Sequence, residues 1–434
     1  MGLAMCVGDK SNGFLRFGIV GLGVGATAVF SALSRSRYST LVAGADTDGH
    51  VRRRFSERFP DSRAYESIED LCADDSIDAI WISTPNRLHA DHAVTAANAK
   101  KHVIISKPMT TTLGDAERII EACERNQVKL IAGHSLGFSP AITEMARLTQ
   151  PGQALGQVRA VQLVAFTDWM LLPRTAEEVD EKLGGGIIHR QSPHQIDAIR
   201  LLCGGKVDSV RAHVGSWMPE RQAPGFFTAF LQFENGAVGT ASHNAYGHLV
   251  TSEIVDWGKD VGISGCDVKQ RAAARTALRN RSLDEDALKD SMRVGGAAPL
   301  FDTLKKRRAW LPLHLGLTFV SCDHGDLRHS PHGVYMYWDE GRTEVPVGDD
   351  ASWFGFSEIE ELYRAVAMGE EVYRDGYWGM ATLEVALAIQ QSSESRKEIK
   401  LRYQTGIRPN ALKAASRNTP HNSNCVGCLK RKTQ

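Results

Sequence analysis

The glycine-rich turn Gly21-Leu22-Gly23-Val24-Gly25-Ala26 follows directly on the apolar run Phe17-Gly18-Ile19-Val20. Its spacing is G-x-G-x-x-A. Between a strand and a helix, such a turn presents free backbone N–H groups and the positive end of a helix dipole to a phosphate. Gly21 permits the tight turn, Gly23 lets the backbone approach a pyrophosphate, and Ala26 allows close helix packing. The next apolar run, Leu41-Val42-Ala43-Gly44-Ala45, ends in Asp46. A carboxylate there accepts hydrogen bonds from ribose hydroxyls and repels a 2′-phosphate. The chemistry this pattern predicts is dinucleotide binding, through Gly21, Gly23, Val24, Gly25 and Asp46. NAD is expected over NADP, because Thr47, Asp48 and Gly49 follow with no basic residue among them. Arg52, Arg53 and Arg54 come a turn later and read as a solvated helix surface, or else as partners for a 2′-phosphate.

A second group of reactive side chains spans Arg190 to Asp197. Ser192-Pro193-His194-Gln195 reads as a capping box, with Ser192 as N-cap and Pro193 in the first helical position. His194 would then lie in the first turn, where the helix dipole disfavours imidazolium and leaves a neutral ring able to relay a proton. The plainer reading is a histidine bonded to a backbone carbonyl. Asp197 lies three residues on, over the same helix face, and is expected to face substrate or to orient a neighbour; a purely structural carboxylate is the alternative. The Arg190 guanidinium matches a carboxylate in bidentate fashion, or forms a surface ion pair. Cys425-Val426-Gly427-Cys428 is a lone C-x-x-C with only His421 close by, so a metal or redox site is set against an exposed polar tail, and no metal is expected.

The elements that must position these residues follow from patterning. Five continuous apolar runs, the last at Val128–Ala132, alternate with helical stretches. That is the pattern of a parallel sheet covered on both faces. After about residue 150 partly alternating strands predominate, with a hairpin signal at Asn235-Gly236. The fold class expected is α/β: an N-terminal doubly wound Rossmann sheet and a C-terminal α+β domain with a largely antiparallel open sheet. The boundaries are 1–14 flexible, 15–138 NAD-binding, 139–404 substrate and oligomerisation domain, and 405–434 disordered tail. The second domain carries an insertion at 269–308 and closing helices within 358–391. The insertion, rich in Ala, Arg and Lys, reads as a solvated helix pair, or as a lid or basic rim for substrate.

The 434 residues are 42% hydrophobic and 24% charged, with 51 basic against 51 acidic side chains. This excludes general disorder and gives no electrostatic case for nucleic acid or an acidic membrane. No run of 18 apolar residues is present, and Met1–Phe14 lacks the apolar stretch of a secretory signal. Cys72, Cys123 and Cys203 sit among apolar residues and read as reduced core thiols of a cytoplasmic protein.

With these residues in hand, the chain resembles the glucose–fructose oxidoreductase, inositol dehydrogenase and rhizopine-catabolism superfamily of NAD(P)-dependent oxidoreductases, from about Leu15 to Leu401. Beside the glycine turn, Ser83-Thr84-Pro85-Asn86-Arg87-Leu88-His89 is similar to its T-P-N-x-x-H turn, Ser106-Lys107-Pro108 to its E-K-P signature, and Gly184-Gly185-Gly186 with His194 and Asp197 to its G-G…H-x-x-D helix. The resemblance implies that Thr84, Pro85, Asn86, His89 and Lys107 border the cofactor. It implies that Lys107 and His194 are catalytic; Asn86 is expected at the substrate pocket as well, and His134 and Trp169 are weaker candidates for the pocket wall.

Two departures bear on the substrate. Ser106 replaces the glutamate of E-K-P, and Arg190 stands where many sugar and cyclitol members carry aspartate. Both remove negative charge, which favours an anionic substrate. The segments 189–197 and 375–385 resemble the phthalate cis-dihydrodiol dehydrogenase branch, as does the long insertion. The expected activity is oxidation of a carboxylated cyclic cis-dihydrodiol to the catechol, by a homodimer or homotetramer joined through the C-terminal sheet, without nucleic-acid or membrane partners. A sugar or cyclitol dehydrogenase, an NAD-dependent glycosidase and a non-catalytic NAD-binding sensor are the alternatives.

Overall fold

The computed structural model describes residues 13–133, 135–258, 263, 266–297, 315–347 and 355–408. The first part of the chain alternates strand and helix: β1 Leu15–Val20, α1 Val24–Arg35, β2 Ser39–Ala45, α2 Gly49–Arg58, β3 Arg63–Tyr65, α3 Ile68–Cys72, β4 Ala79–Ile82, α4 His89–Asn98, β5 His102–Ser106, α5 Leu113–Arg125 and β6 Leu130–Gly133. Among the described residues these strands form a six-stranded parallel sheet in the order β3-β2-β1-β4-β5-β6. Both faces are covered. Ile80, Ile82, Val103 and Ile105 belong to one apolar cluster, and Phe17, Ile19, Trp81 and Ile104 to the other. That burial on two sides is why these strands read as unbroken apolar runs.

The second part contains α6 Pro140–Leu148, β7 Val158–Phe166, α7 Gly186–Arg190, α8 Ser192–Cys203, β8 Val207–Gly215, β9 Phe226–Phe233, β10 Val238–Asn244, α9 Val268–Arg279, α10 Glu285–Ser291, β11 Leu317–Cys322, β12 Gly325–His329, β13 Gly333–Trp338, β14 Gly341–Pro346, α11 Phe356–Ala367, α12 Gly376–Ser395 and β15 Ile399–Lys400. Its nine described strands run β14-β13-β12-β11-β7-β10-β9-β8-β15, antiparallel except for β7 and β10. Asn235-Gly236 makes the expected hairpin, with Gly236 at φ +83°. One face of this sheet packs on α8 and α12, through Val161, Leu163, Phe227, Leu231, Ile196, Ile199 and Val385. The opposite face is open. There Arg328, Phe319, Gln162, Thr240, Phe230 and Arg211 are register partners in one row across six strands. The sheet ends at β14 on one side and at the two-residue β15 on the other.

The closing helices tie the two parts together. α12 packs on α5 and β6 as well as on α8 and β8, and Ala132 N–H donates to the Arg374 carbonyl at 2.8 Å. The segment after β15 is also held: Arg200 donates to the Thr405 carbonyl at 3.3 Å, and Arg408 to the Val372 carbonyl at 3.1 Å. The described residues thus include 405–408, which pack back on the sheet domain and on the segment before α12. Cys425, Cys428 and His421 lie outside the described residues, as does the part of the insertion after residue 297. No helix among the described residues is long and apolar enough to cross a membrane.

Candidate active site

The cofactor cradle begins at the turn after β1. Gly21 has φ +84°, and a Cβ there would stand 2.7 Å from the Ser83 and Thr84 backbone, so glycine is required by both conformation and space. A Cβ on Gly23 would meet nothing within 4 Å. Gly23 is the N-cap of α1 and supplies no side chain to the first helical N–H groups. An open glycine surface beside free helix N–H groups fits a pyrophosphate. Val24 and Gly25 form the first turn beside it. Asp46 directly follows β2 with its carboxylate directed back into the turn, accepting from Leu22 N–H at 2.8 Å and Asp48 N–H at 3.0 Å.

The three arginines after Asp46 are engaged, not simply solvated. Arg52 donates to the Asp46 and Thr47 carbonyls, Arg53 meets the His50 ring, and Arg54 grips Asp290 at 2.7 and 3.0 Å. The carboxylate of Asp290, on the insertion, occupies Arg54.

The second side of the cleft is braced by hydrogen bonds between loops. The two ring nitrogens of fully buried His89 lie 2.9 Å from the Pro108 carbonyl and 2.8 Å from the Thr84 carbonyl. Burial depresses its pKa to about 4. The neutral ring therefore donates to one of these carbonyls and packs against the other, filling the space between the Thr84-Pro85 and Lys107-Pro108 turns. The Asn86 amide donates to the Gly184 carbonyl at 2.9 Å, latching the Rossmann domain to the glycine loop of the sheet domain. Ser106, in place of glutamate, accepts from the indole N–H of buried Trp81 at 3.1 Å.

Lys107 follows β5 and donates to the main-chain carbonyl of Arg190, at the end of α7. Loss of solvent brings its pKa down to about 7, helped by Arg190 and Arg174 and opposed by Glu178. At neutral pH a large fraction of this amine is uncharged. It can give one hydrogen to the Arg190 carbonyl and keep a lone pair for a substrate proton.

Around it stands a cluster of which the sequence pointed only to Arg190. Glu178 faces Lys289 at 2.7 and 2.8 Å, Arg190 at 3.3 Å and Arg174 at 3.6 Å. Although burial alone would raise the Glu178 pKa, these three cations hold it well below the carboxylate range. Burial brings Arg174 down to about 10 and Lys289 down to about 8. The Arg174 guanidinium lies 3.7 Å over the ring of Trp169. The Nε atoms of Arg174 and Arg190 are buried without a hydrogen-bond partner among the described residues. Lys289 sits in the basic insertion, a feature legible in the sequence. Glu178, beside Glu177 in a polar stretch, carried no signal.

Two expectations on α8 need correction. Ser192 is not an N-cap, because its hydroxyl donates back to the Ile188 carbonyl and α7 runs almost directly into α8. Gln195 is buried and reaches the Ser242 and Leu315 carbonyls. His194 is still buried on the first turn of α8, but a capped dipole end does not govern it. Asp197 does not face substrate: it is fully buried and accepts from Trp378 Nε1 at 2.6 Å and Arg374 Nη2 at 3.2 Å. A carboxylate inside a core must be paired, and here the pairing locks α8 to α12. His134 lies outside the described residues.

Comparison with known proteins accords with this geometry. Residues 15–134 match the model of the oxidoreductase family with an NAD-binding Rossmann fold, and residues 144–255 match the GFO/IDH/MocA C-terminal domain. The chain belongs to the GFO/IDH/MocA family of oxidoreductases.

Within this family, a 1-carboxy-3-chloro-3,4-dihydroxycyclohexa-1,5-diene dehydrogenase from Comamonas testosteroni is 29% identical over 93% of this chain and all of its own. A myo-inositol 2-dehydrogenase from Thermotoga maritima is 25% identical over 55% of this chain and 72% of its own. The crystal structure of a protein from Bordetella bronchiseptica RB50, described as a dehydrogenase, superposes with a TM-score of 0.81 at 33% identity, covering 89% of this chain and all of the other. The glycine turn, Asp46 and Lys107 fall in the first matched segment, and Arg174, Glu178, Arg190 and His194 in the second. Lys289 lies beyond both. The protein is thus an NAD-dependent oxidoreductase, and its N-terminal domain holds the dinucleotide.

Proposed function

We propose that this oxidoreductase oxidises a carboxylated cyclic cis-dihydrodiol, of the phthalate 4,5-cis-dihydrodiol type, to the catechol. The observation that carries the reading is the charge around Lys107: Arg174, Arg190 and Lys289 face one internal carboxylate, Glu178. Buried positive charge in excess of its partners calls for an anionic ligand. A neutral sugar supplies none. The Comamonas relative, whose name specifies a carboxylated cyclohexadiene diol, supports the same substrate class.

The glycine turn and Asp46 would hold the dinucleotide, whose nicotinamide would supply the hydride acceptor for the carbinol carbon. The chain's part is to hold the diol and take the hydroxyl proton. Lys107 Nζ, uncharged above about pH 7, receives that proton. His194 stands as a second proton-transfer group on α8. Arg190 orients the carboxylate, so that the residue whose carbonyl positions Lys107 also places the substrate. Loss of hydride and proton leaves a hydroxy-enone, which tautomerises to the aromatic catechol. Thr84, Pro85 and Asn86 form the cofactor-side wall. Phe230 and Phe319, exposed on the open sheet face, support self-association through that face.

The test is absorbance of reduced cofactor with purified enzyme, NAD and a panel of substrates. Turnover of carboxylated cis-dihydrodiols is expected. Efficient oxidation of inositol or glucose, with carboxylated diols ignored, overturns the reading and leaves only the family. Glycoside cleavage without net cofactor reduction would make the protein a glycosidase.

A further inference from the structure

We propose that Lys289, on the insertion helix α10, is a specificity residue of the anion site and recognises a second carboxylate on the substrate. This rests on the reading of the substrate as a carboxylated diol and deepens it.

The charge count leads there first. Arg174 and Lys289 side chains are about nine-tenths buried, with Arg190 more open, and one carboxylate serves all three. Arg221 does not add to the excess, because Glu285 neutralises it at 2.6 Å and the Met170 and Leu172 carbonyls occupy its other donors. The described cluster therefore carries two more positive charges than negative ones. An oxidised nicotinamide would add another. One carboxylate on the ligand leaves this imbalance partly unmet, whereas two adjacent carboxylates meet it.

The placement of α10 is the second observation. Charged residues on α10 and just after it anchor it to both domains. Glu285 holds Arg221 and accepts from Arg174 N–H at 2.8 Å on the substrate side. Asp290 holds Arg54, and Arg293 stands 3.6 Å from Asp48, on the cofactor side. Buried Arg271 fixes the preceding helix, α9, through the Gly247 carbonyl and Glu253 at 3.1 and 2.8 Å. The insertion is docked across both domains with Lys289 pointing inward. The helix pair is mostly exposed, as a solvated pair should be, yet its Lys289 side chain is buried against Glu178. Arg190 is the more open of the guanidiniums, and Lys289 adds an ammonium whose three donors are not exhausted by Glu178. The Arg174 guanidinium is committed to Glu178, to the Trp169 carbonyl at 3.0 Å and to the Trp169 ring, so the more open Arg190 guanidinium and the Lys289 point charge are what is left for two adjacent carboxylates.

The experiment uses two inert aromatic acids, phthalate and benzoate, titrated calorimetrically into the full-length enzyme saturated with NAD. Neither has an oxidisable alcohol, so binding is read without turnover. Phthalate should bind at least roughly tenfold more tightly than benzoate, the scale of one added charge-assisted contact. Lys289→Met should cancel most of that difference while weakening benzoate by less than about threefold, and Lys289→Arg should restore it. NAD affinity, measured alongside, should not move and reports that both variants are folded. Equal affinities in the wild type, or a Lys289→Met enzyme that prefers phthalate as strongly as the wild type, overturns the role of Lys289. If the wild type binds neither acid but oxidises neutral diols, the carboxylate reading falls as well, and the two failures are told apart.

Discussion

The Lys107 amine and the Arg190 main chain are joined by a hydrogen bond, so the proton acceptor and the guanidinium that lowers its pKa share one anchor. The pH dependence of catalysis follows. Lys107 acts when uncharged, so kcat/KM for alcohol oxidation should fall as pH drops through about 7. Replacing Arg190 by Ala removes a positive neighbour, lets the Lys107 pKa rise, and should move this limb to higher pH. Arg190→Lys keeps the charge and should leave the limb in place. A profile that does not respond to Arg190→Ala would break the link between the two residues.

Removing either proton-transfer group should be costly. Lys107→Ala and His194→Ala are each expected to lower turnover by on the order of 10²-fold or more, with little change in NAD affinity. Near-normal turnover in Lys107→Ala would remove it from the chemistry.

Arg190 should discriminate between substrates. Charge-assisted hydrogen bonds to a carboxylate contribute about 1.5–3 kcal/mol. Arg190→Ala should therefore lower kcat/KM for a carboxylated diol by roughly 10- to 100-fold. A neutral dihydrodiol, compared at a pH where Lys107 is uncharged in both enzymes, should be much less affected; equal losses for the two diols would refute the contact.

Glu178 is the internal counter-ion, and its loss should be felt in stability. Glu178→Gln strands three buried cations, and breaking a buried pair typically costs about 3–5 kcal/mol. The melting temperature should fall clearly. The pH limb assigned to Lys107 should move to lower pH, since Glu178 raises that pKa. An unchanged melting temperature would show that solvent already compensates the cluster.

Cofactor preference is set at the end of β2. Asp46 directs its carboxylate at the turn, and Arg54 is occupied by Asp290. Catalytic efficiency with NAD should exceed that with NADP. The reverse preference in parallel kinetics would show that Arg52, Arg53 or Arg54 leaves its present partner for a 2′-phosphate.

The Rossmann half was legible because its signals are local. A glycine turn, an apolar strand and an acidic terminus lie within thirty residues and each acts on its neighbours. The short strands β12 and β14 escaped because Gly325–His329 and Gly341–Pro346 are mostly polar, and only pairing in the sheet makes them strands. Glu178 and Lys289 are 111 residues apart, and nothing local marks an ion pair that the fold alone creates. Asp197 misled for a related reason. Its place on the helix was right, but its partners Arg374 and Trp378 come from the far end of the chain.

The two ends of the nine-stranded sheet bear on colloidal behaviour. A bare strand edge is a template for open-ended growth by backbone pairing. Here β15 offers only two residues, with Lys400 held by Asp208 at 2.6 Å. On the other side β14 presents Arg342 and Glu344 and closes with Pro346, which has no N–H to donate. Neither border is a good seed for fibrils. The row from Arg328 to Arg211 instead sets aromatic rings between guanidiniums on a broad face. Any contact made through that face would use side chains and leave no strand edge to extend.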